Sequence, residues 1–290
     1  MVTTIGRREF IAGVAALAAT STSASPVPKR VVTLEWTSTE IALSLGLSPV
    51  GCAEVSGYRR WVDVASDRLG DVVDVGLRQQ PNFEVIRRLQ PDLILSSRFR
   101  HAALAMALGN IAQTDLIDDQ AADGDMLAAV YQSVTQVGVA LGRSDEAAAL
   151  LAEFDNNIAM VKERIKNKVS GKTLLVAQPL PGVPRLRIFA PNSAVSGLLE
   201  RIGFAAGLQL TPQPFGFTTI DLEGLAALEG QGTLFILSDS IPDDLRRAAL
   251  WPVLPVVVQG HVLVGGATTW PFGSTASLQK LIGEIASRFA

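Results

Sequence analysis

Between Asp145 and Val169 the sequence carries one uninterrupted helical pattern, with Ala148, Leu151, Phe154, Ile158, Val161 and Ile165 recurring at three- and four-residue steps. At 1.5 Å per residue such a helix would be about 37 Å long, well beyond the roughly 10–14 residues usual in globular proteins. Ser144 is placed to cap it. A strand–helix alternation runs out before this segment and starts afresh after it. That arrangement predicts two α/β lobes with Rossmann-like winding, joined by one long α-helix.

Ahead of the helix, strands are expected at Val31–Leu34, Pro49–Glu54, Val72–Val75, Leu93–Leu95 and Thr114–Ile117. Helices are expected at Ser38–Leu45, at Phe83–Leu89 with Asn82 as cap, at Ala102–Ile111, and at Met126–Leu141 before Gly142. This order fits a doubly wound parallel sheet. After the helix, Thr173–Ala177 and Leu186–Ala190 read as strands around a proline-rich turn, and Thr233–Leu237 as a buried strand. Ser193–Ile202, Asp221–Leu228, Asp243–Leu250 and Thr275–Phe289 read as helices, while Val256–Val258 and Val262–Val264 flank a turn at Gln259-Gly260-His261. The expected division is a lobe at 25–142, a connector at 143–169 and a lobe at 170–290.

Residues 1–24 read as an address rather than as fold. Arg7-Arg8 precedes a short apolar run, Ile11–Ala19, far below the ~18 residues that span a bilayer. Thr22-Ser23-Ala24 then offers small residues for cleavage. This is the layout of a twin-arginine signal, which exports proteins already folded. No lipobox cysteine stands at the site, so no lipid anchor is expected. Without Arg7, Arg8 and Glu9 the net formal charge moves from −3 to −4. The expectation is an exported, mildly acidic protein with no basic footprint for nucleic acid.

The chemistry a catalyst would need is mostly missing. No GxGxxG, P-loop, GxSxG or HExxH occurs. The single cysteine, Cys52, excludes a disulfide framework, a CxxC centre and a cysteine-rich metal site, and His101 and His261 lack ligand spacing. Taken singly, the acidic residues read as solvated helix faces. What the chain does place after its expected strands is a set of aromatic and cationic residues, where α/β folds hold ligands. Trp36 follows the first strand and Trp61 sits in the polar run Tyr58-Arg59-Arg60-Trp61. Arg78 lies between a strand and a helix start, and Arg98, Phe99 and Arg100 follow the strand ending at Leu95. Phe215 and Phe217 precede the Asp221 helix, and Trp270 lies in Thr268-Thr269-Trp270-Pro271-Phe272-Gly273. With 17 aromatic residues in all, this concentration in loops predicts a binding cleft with apolar walls.

Several of these runs together resemble a known family. Arg30-Val31-Val32-Thr33-Leu34-Glu35-Trp36 with Glu40, Arg60-Trp61-Val62, and Val73-Asp74-Val75-Gly76-Leu77-Arg78 with Pro81-Asn82 are similar to the periplasmic iron(III)-hydroxamate siderophore-binding proteins of the FhuD type. The likeness continues in order through Leu89-Gln90-Pro91-Asp92, Phe189-Ala190-Pro191-Asn192-Ser193, Thr219-Ile220-Asp221 and Trp270-Pro271-Phe272-Gly273. The resemblance implies a class III binding protein with a helical backbone, periplasmic and monomeric, that hands ligand to an inner-membrane ABC permease. It implies that Arg78 hydrogen-bonds the hydroxamate oxygens around the iron, and that Trp61 and Trp270 form walls. A guanidinium suits that task because it stays charged and presents fixed donors.

This sequence also departs from the family pattern. A tyrosine expected after the strand ending at Leu95 is replaced by Arg98-Phe99-Arg100-His101, where Arg100 offers a second donor suited to a more anionic ligand. The second-lobe tryptophan is replaced by Phe215 or Phe217. Permease docking falls on Asp221, with Glu223 nearby, while Ala102–Ile111 has no acid at the matching place. The same fold could instead serve a ferric catecholate, haem or a corrinoid. Tyr58 and His101 are the haem-type ligands in cleft loops, and Arg59, Arg60, Arg78 and Arg100 are the cations a catecholate would need. An exported cofactor enzyme is the reading from another class. The siderophore-binding reading gives the protein no catalytic residue, no resident cofactor and no metal of its own.

Overall fold

The computed structural model describes residues 27–120, 124–205, 210–226 and 232–290. The leader expected at 1–24 lies outside the described residues. The first sheet contains β1 (Val31–Thr33), β2 (Gly51–Cys52), β3 (Val73–Asp74), β4 (Leu93–Ser97) and β5 (Gln113–Ile117). All its pairings are parallel, in the order β3-β2-β1-β4-β5. The chain enters at the centre, winds outward through β2 and β3, and returns to β4 beside β1. Between β1 and β4 the winding reverses, and such a reversal opens a crevice at the carboxyl ends of the strands.

The second sheet contains β6 (Leu174–Pro179), β7 (Leu186–Phe189), β8 (Phe217–Ile220), β9 (Thr233–Leu237) and β10 (Val262–Gly265), in the order β10-β9-β6-β7-β8. Here β6, β9 and β10 run parallel, whereas β7 is antiparallel to both β6 and β8. The Rossmann-like winding expected of this half is therefore replaced on one side by a meander. The connection through residues 180–185 is too short for a crossover, which takes a dozen residues or more. Strand β8 has no counterpart in the sequence reading.

Local boundaries shift where capping decides them. Asn82 caps the helix Phe83–Leu89 as expected, its Oδ1 accepting from the amides of Glu84 and Val85 at 3.1 Å. Ser97 caps a helical turn, Arg98–His101, directly at the end of β4, so the expected helix Ala102–Ile111 becomes that turn, a 3-10 segment and a short helix, Ala105–Gly109. Asp221 is a cap, accepting from Gly224 N at 3.0 Å, and the described helix is Leu222–Leu225. Val256–Val258 belongs to a single helical turn begun by Pro255.

The long helix spans Ser144–Val169, with Ser144 as its first residue and no side-chain cap. Asp145 and Glu146 in the first turn and Lys166 and Lys168 in the last complement its dipole. Ala147 joins the core of the first sheet, while Phe154, Ile158, Ile165 and Val169 join that of the second. The helix Met126–Ala140 does the same, burying Leu127 in the second core and Val134 and Val137 in the first.

One buried carboxylate ties the two halves together. Glu40, on the helix Trp36–Ser44, is 1% exposed and caps the C-terminal helix Thr275–Ser287 from the other lobe. Its Oε2 accepts from Ser274 N at 3.0 Å and Ser277 Oγ at 2.6 Å, and its Oε1 from Ser277 N at 2.9 Å. Gly273 permits this approach, because a Cβ there would stand 2.6 Å from Glu40 Oε2 and 2.4 Å from Ser277.

Candidate functional site

Every strand of the first sheet delivers one ionisable residue just past its carboxyl end: Glu35 after β1, Glu54 after β2, Arg78 after β3, Arg100 after β4 and Asp119 after β5. Glu35 is the hub. As the cap of helix Trp36–Ser44 it accepts from Trp36 N at 3.0 Å, and it lies between two guanidinium groups. Arg78 Nη1 donates to Glu35 Oε1 at 2.9 Å and Arg100 Nε donates to Glu35 Oε2. Glu54 holds Arg78 from the other side, through Nε at 3.1 Å and the backbone amide at 3.0 Å. The acids read as solvated faces thus include three, Glu35, Glu40 and Glu54, that bind specific partners.

The Arg78 loop is fixed further by two features. Gly76 has φ +95°, a left-handed conformation that turns the chain back toward the cleft. His101 is fully buried and reaches the Arg78 carbonyl through Nε2 at 2.6 Å. Its Nδ1 faces the Ser97 amide, which can only donate, so the imidazole proton sits on Nε2. His101→Leu is expected to orphan both groups and to cost about 2 kcal/mol of stability, with weaker ligand binding as the Arg78 loop loosens. Unchanged melting and unchanged affinity would remove His101 from this role.

Arg78 also lies over the Trp36 ring, 3.6 Å from its centroid. Trp36 is anchored by Nε1 to the Ala53 carbonyl at 3.1 Å and meets Trp270 edge-on at 5.2 Å. From there a chain of rings runs through Phe272, Phe217 and Phe215 to Phe99, with centroid spacings of 5.4, 5.5, 6.2 and 5.6 Å. This wall leaves the first lobe at Trp36, crosses the second, and returns to the first at Phe99. It borders a cleft of about 410 Å³ between the lobes.

Of the residues selected from sequence, Arg78, Phe99, Arg100, Phe215, Phe217 and Trp270 all line this cleft. Trp61 does not. Residues Val55–Trp61 form a helix rather than the expected loop, with Val55 and Tyr58 turned into the core and Trp61 exposed beneath Arg60. Trp36 is the first-lobe tryptophan nearest the cleft, buried rather than lining it, and it packs against Trp270 and Arg78, which do line it. Tyr58 and His101 are unavailable as metal ligands: both are buried, and the Tyr58 hydroxyl donates to the Val64 carbonyl at 2.9 Å. Burial pushes the Cys52 thiol up to about 11. Among the described residues no group of three or more His, Cys, Asp or Glu side chains could hold a metal ion. Asp221 and Glu223 are exposed on the second lobe, away from the cleft lining. Sequence reading missed Asp119 and Arg187 as cleft residues. For Arg187 a signal existed, an arginine between Leu186 and Ile188 in a strand, whose alternation turns it to the face opposite those two core residues.

Two α/β lobes that share one ring-lined cleft define a two-lobed solute-binding protein. The chain belongs to the periplasmic binding protein family, whose sequence profile matches residues 31–269. It is 29% identical over 267 residues to the iron(3+)-hydroxamate-binding protein FhuD of Escherichia coli, covering 91% of this chain and 88% of that one. It is likewise 29% identical over 258 residues to the Fe(3+)-citrate-binding protein YfmC of Bacillus subtilis, covering 86% and 76%. Among solved structures, FhuD of Vibrio cholerae bound to Fe3+-Desferal superposes with a TM-score of 0.81 at 25% identity, covering 90% of this chain and 97% of that one. These relatives are binding proteins, not enzymes.

Proposed function

We propose that this protein captures ferric siderophores outside the cytoplasmic membrane, hydroxamate complexes among them, and delivers them to an ABC importer. The observation that carries this reading is the cleft itself: two clamped arginines at one end of a continuous aromatic wall. Hydroxamate oxygens around Fe(III) carry negative charge density, which guanidinium N–H groups satisfy, while rings bury the organic backbone of the chelator. Among the described residues Arg78 Nη2 and both Nη atoms of Arg100 have no protein acceptor, so donors remain for a ligand. The iron would arrive inside its chelator and need no ligand from the protein.

The relatives named for hydroxamate and for citrate complexes support the siderophore class and leave the chelator to experiment. In this reading 1–24 is a twin-arginine leader, the mature chain acts as a periplasmic monomer with lobes at 25–142 and 170–290 around the connector 143–169, and Asp221 and Glu223 face the permease. Tryptophan fluorescence tests it directly, since Trp270 lines the cleft with Trp36 packed against it, while Trp251 is buried in the second-lobe core. Saturable quenching by ferrichrome, ferrioxamine B or ferric aerobactin, and not by the iron-free chelators, is expected. Binding of haem or a ferric catecholate alone would overturn the hydroxamate assignment.

A further inference from the structure

We propose that Arg187 is a carboxylate contact of this cleft, and that the preferred ligand is an anionic ferric complex carrying a carboxylate that does not bind the iron. This rests on the siderophore reading and sharpens it. Arg187 projects from β7 into the cleft on the second-lobe side, opposite the Arg78–Glu35–Arg100 cluster. Its guanidinium lies against two rings of the wall, 4.4 Å from the Phe217 centroid and 5.5 Å from that of Phe272. Nη1 donates to the neutral amide oxygen of Gln178 at 2.9 Å. Nε is buried and has no hydrogen-bond partner, and among the described residues no carboxylate stands within salt-bridge distance.

The contrast with the first lobe gives the inference its direction. Arg78 and Arg100 share Glu35, and Arg78 also holds Glu54, so protein carboxylates balance both cations. The other first-lobe acid of the cleft, Asp119, has its carboxyl pushed up by burial, which favours the uncharged form. Among the described arginines of the cleft, Arg187 alone has no carboxylate partner. Burial lowers its pKa with no neighbouring acid raising it, yet a guanidinium remains charged at any relevant pH. A neutral tris-hydroxamate complex seated here would cover an unpaired cation and add to its desolvation. A ligand carboxylate would instead supply the missing acceptor. Both rings lie within cation–π range of the guanidinium, and Nη2, which has no protein acceptor among the described residues, is left for that charge-assisted contact.

The test compares three ferric complexes of different charge: ferrichrome, which is neutral, ferrioxamine B, which has a cationic tail, and ferric aerobactin, which keeps carboxylates free of the iron. The full protein is expected to bind ferric aerobactin most tightly. In Arg187→Gln the ratio of aerobactin to ferrichrome affinity should fall about tenfold or more, as for loss of a charge-assisted hydrogen bond. Arg187→Lys should keep part of the ratio. Rising salt should erode it in the unsubstituted protein, an arm that holds even if the glutamine variant does not fold. An equal loss for all three complexes, or tightest binding of ferrichrome by the unsubstituted protein, overturns the proposal and leaves the siderophore reading intact. Binding of none of the three overturns both.

Discussion

Glu40→Ala is expected to destabilise the protein by about 3 kcal/mol or more, because it strips an acceptor from three donors at once. The lost bonds are those from Ser274 N, Ser277 N and Ser277 Oγ, all buried at the start of the C-terminal helix. At ~2–4 °C per kcal/mol for a chain of this size, the melting temperature should drop by roughly 6–12 °C. Glu40→Gln keeps the shape but not the pattern. Its one carbonyl oxygen can serve Ser274 N and Ser277 Oγ, which leaves its amide N–H groups facing the Ser277 amide. An intermediate loss of about 1–2 kcal/mol is expected. Because donor and acceptor sit on different lobes, both variants should also loosen the cleft between them. A Glu40→Ala protein that melts with the unsubstituted one would dispose of the interlobe cap.

The same carboxylate gives a pH signature. Burial raises the Glu40 pKa, against the opposing pull of the hydrogen bonds from Ser277 and Ser274. A raised carboxylate pKa means that the folded protein keeps a proton the unfolded chain has released. Stability from this group is then greatest below the unfolded pKa, near 4.3, and declines as pH rises through the folded value. Denaturation of the unsubstituted protein and Glu40→Gln across this range should show the advantage of glutamate shrinking with rising pH. A growing advantage would mean that the three donors outweigh burial.

Much of this architecture is legible in the sequence wherever the signal is local. The long helix announces itself through apolar spacing, Asn82 through its capping position, and the first sheet through its alternation of short runs. The features that escape are settled by contacts between distant segments. Glu40 is an ordinary acid on a helix until residues 274–277 arrive from the far end of the chain. Strand β8 pairs antiparallel with β7, and its Phe-Thr-Thr-Ile run is made of strand-favouring residues but is too short to stand out between a glycine turn and Asp221. Trp61 reads as a cleft wall from its expected loop after the second strand and from the family resemblance, yet Val55–Trp61 is a helix that carries it to the surface. Arg78 was found through its loop, but its setting depends on Glu35, Glu54 and His101, three residues from three other strand ends.

That setting shapes what Arg78 variants should do. Arg78→Ala is expected to weaken ferric hydroxamate binding by about 1.5–3 kcal/mol, the contribution of a hydrogen bond to a charged group. It should also cost stability, since Glu35 would keep only Arg100 and the Trp36 amide, and Glu54 only the backbone amide of residue 78. Arg78→Lys separates the two effects. A lysine retains the charge but has no fork with which to reach Glu35 and Glu54 together while resting on Trp36. Most of the affinity should therefore be lost although the net charge of the cleft is unchanged. Adding Glu35→Gln to Arg78→Ala removes the carboxylate left underpaired, so it should recover stability without recovering binding. If the lysine variant bound as tightly as arginine, charge alone would explain the site and the geometry of the Glu35–Arg78–Glu54 clamp would be incidental to it.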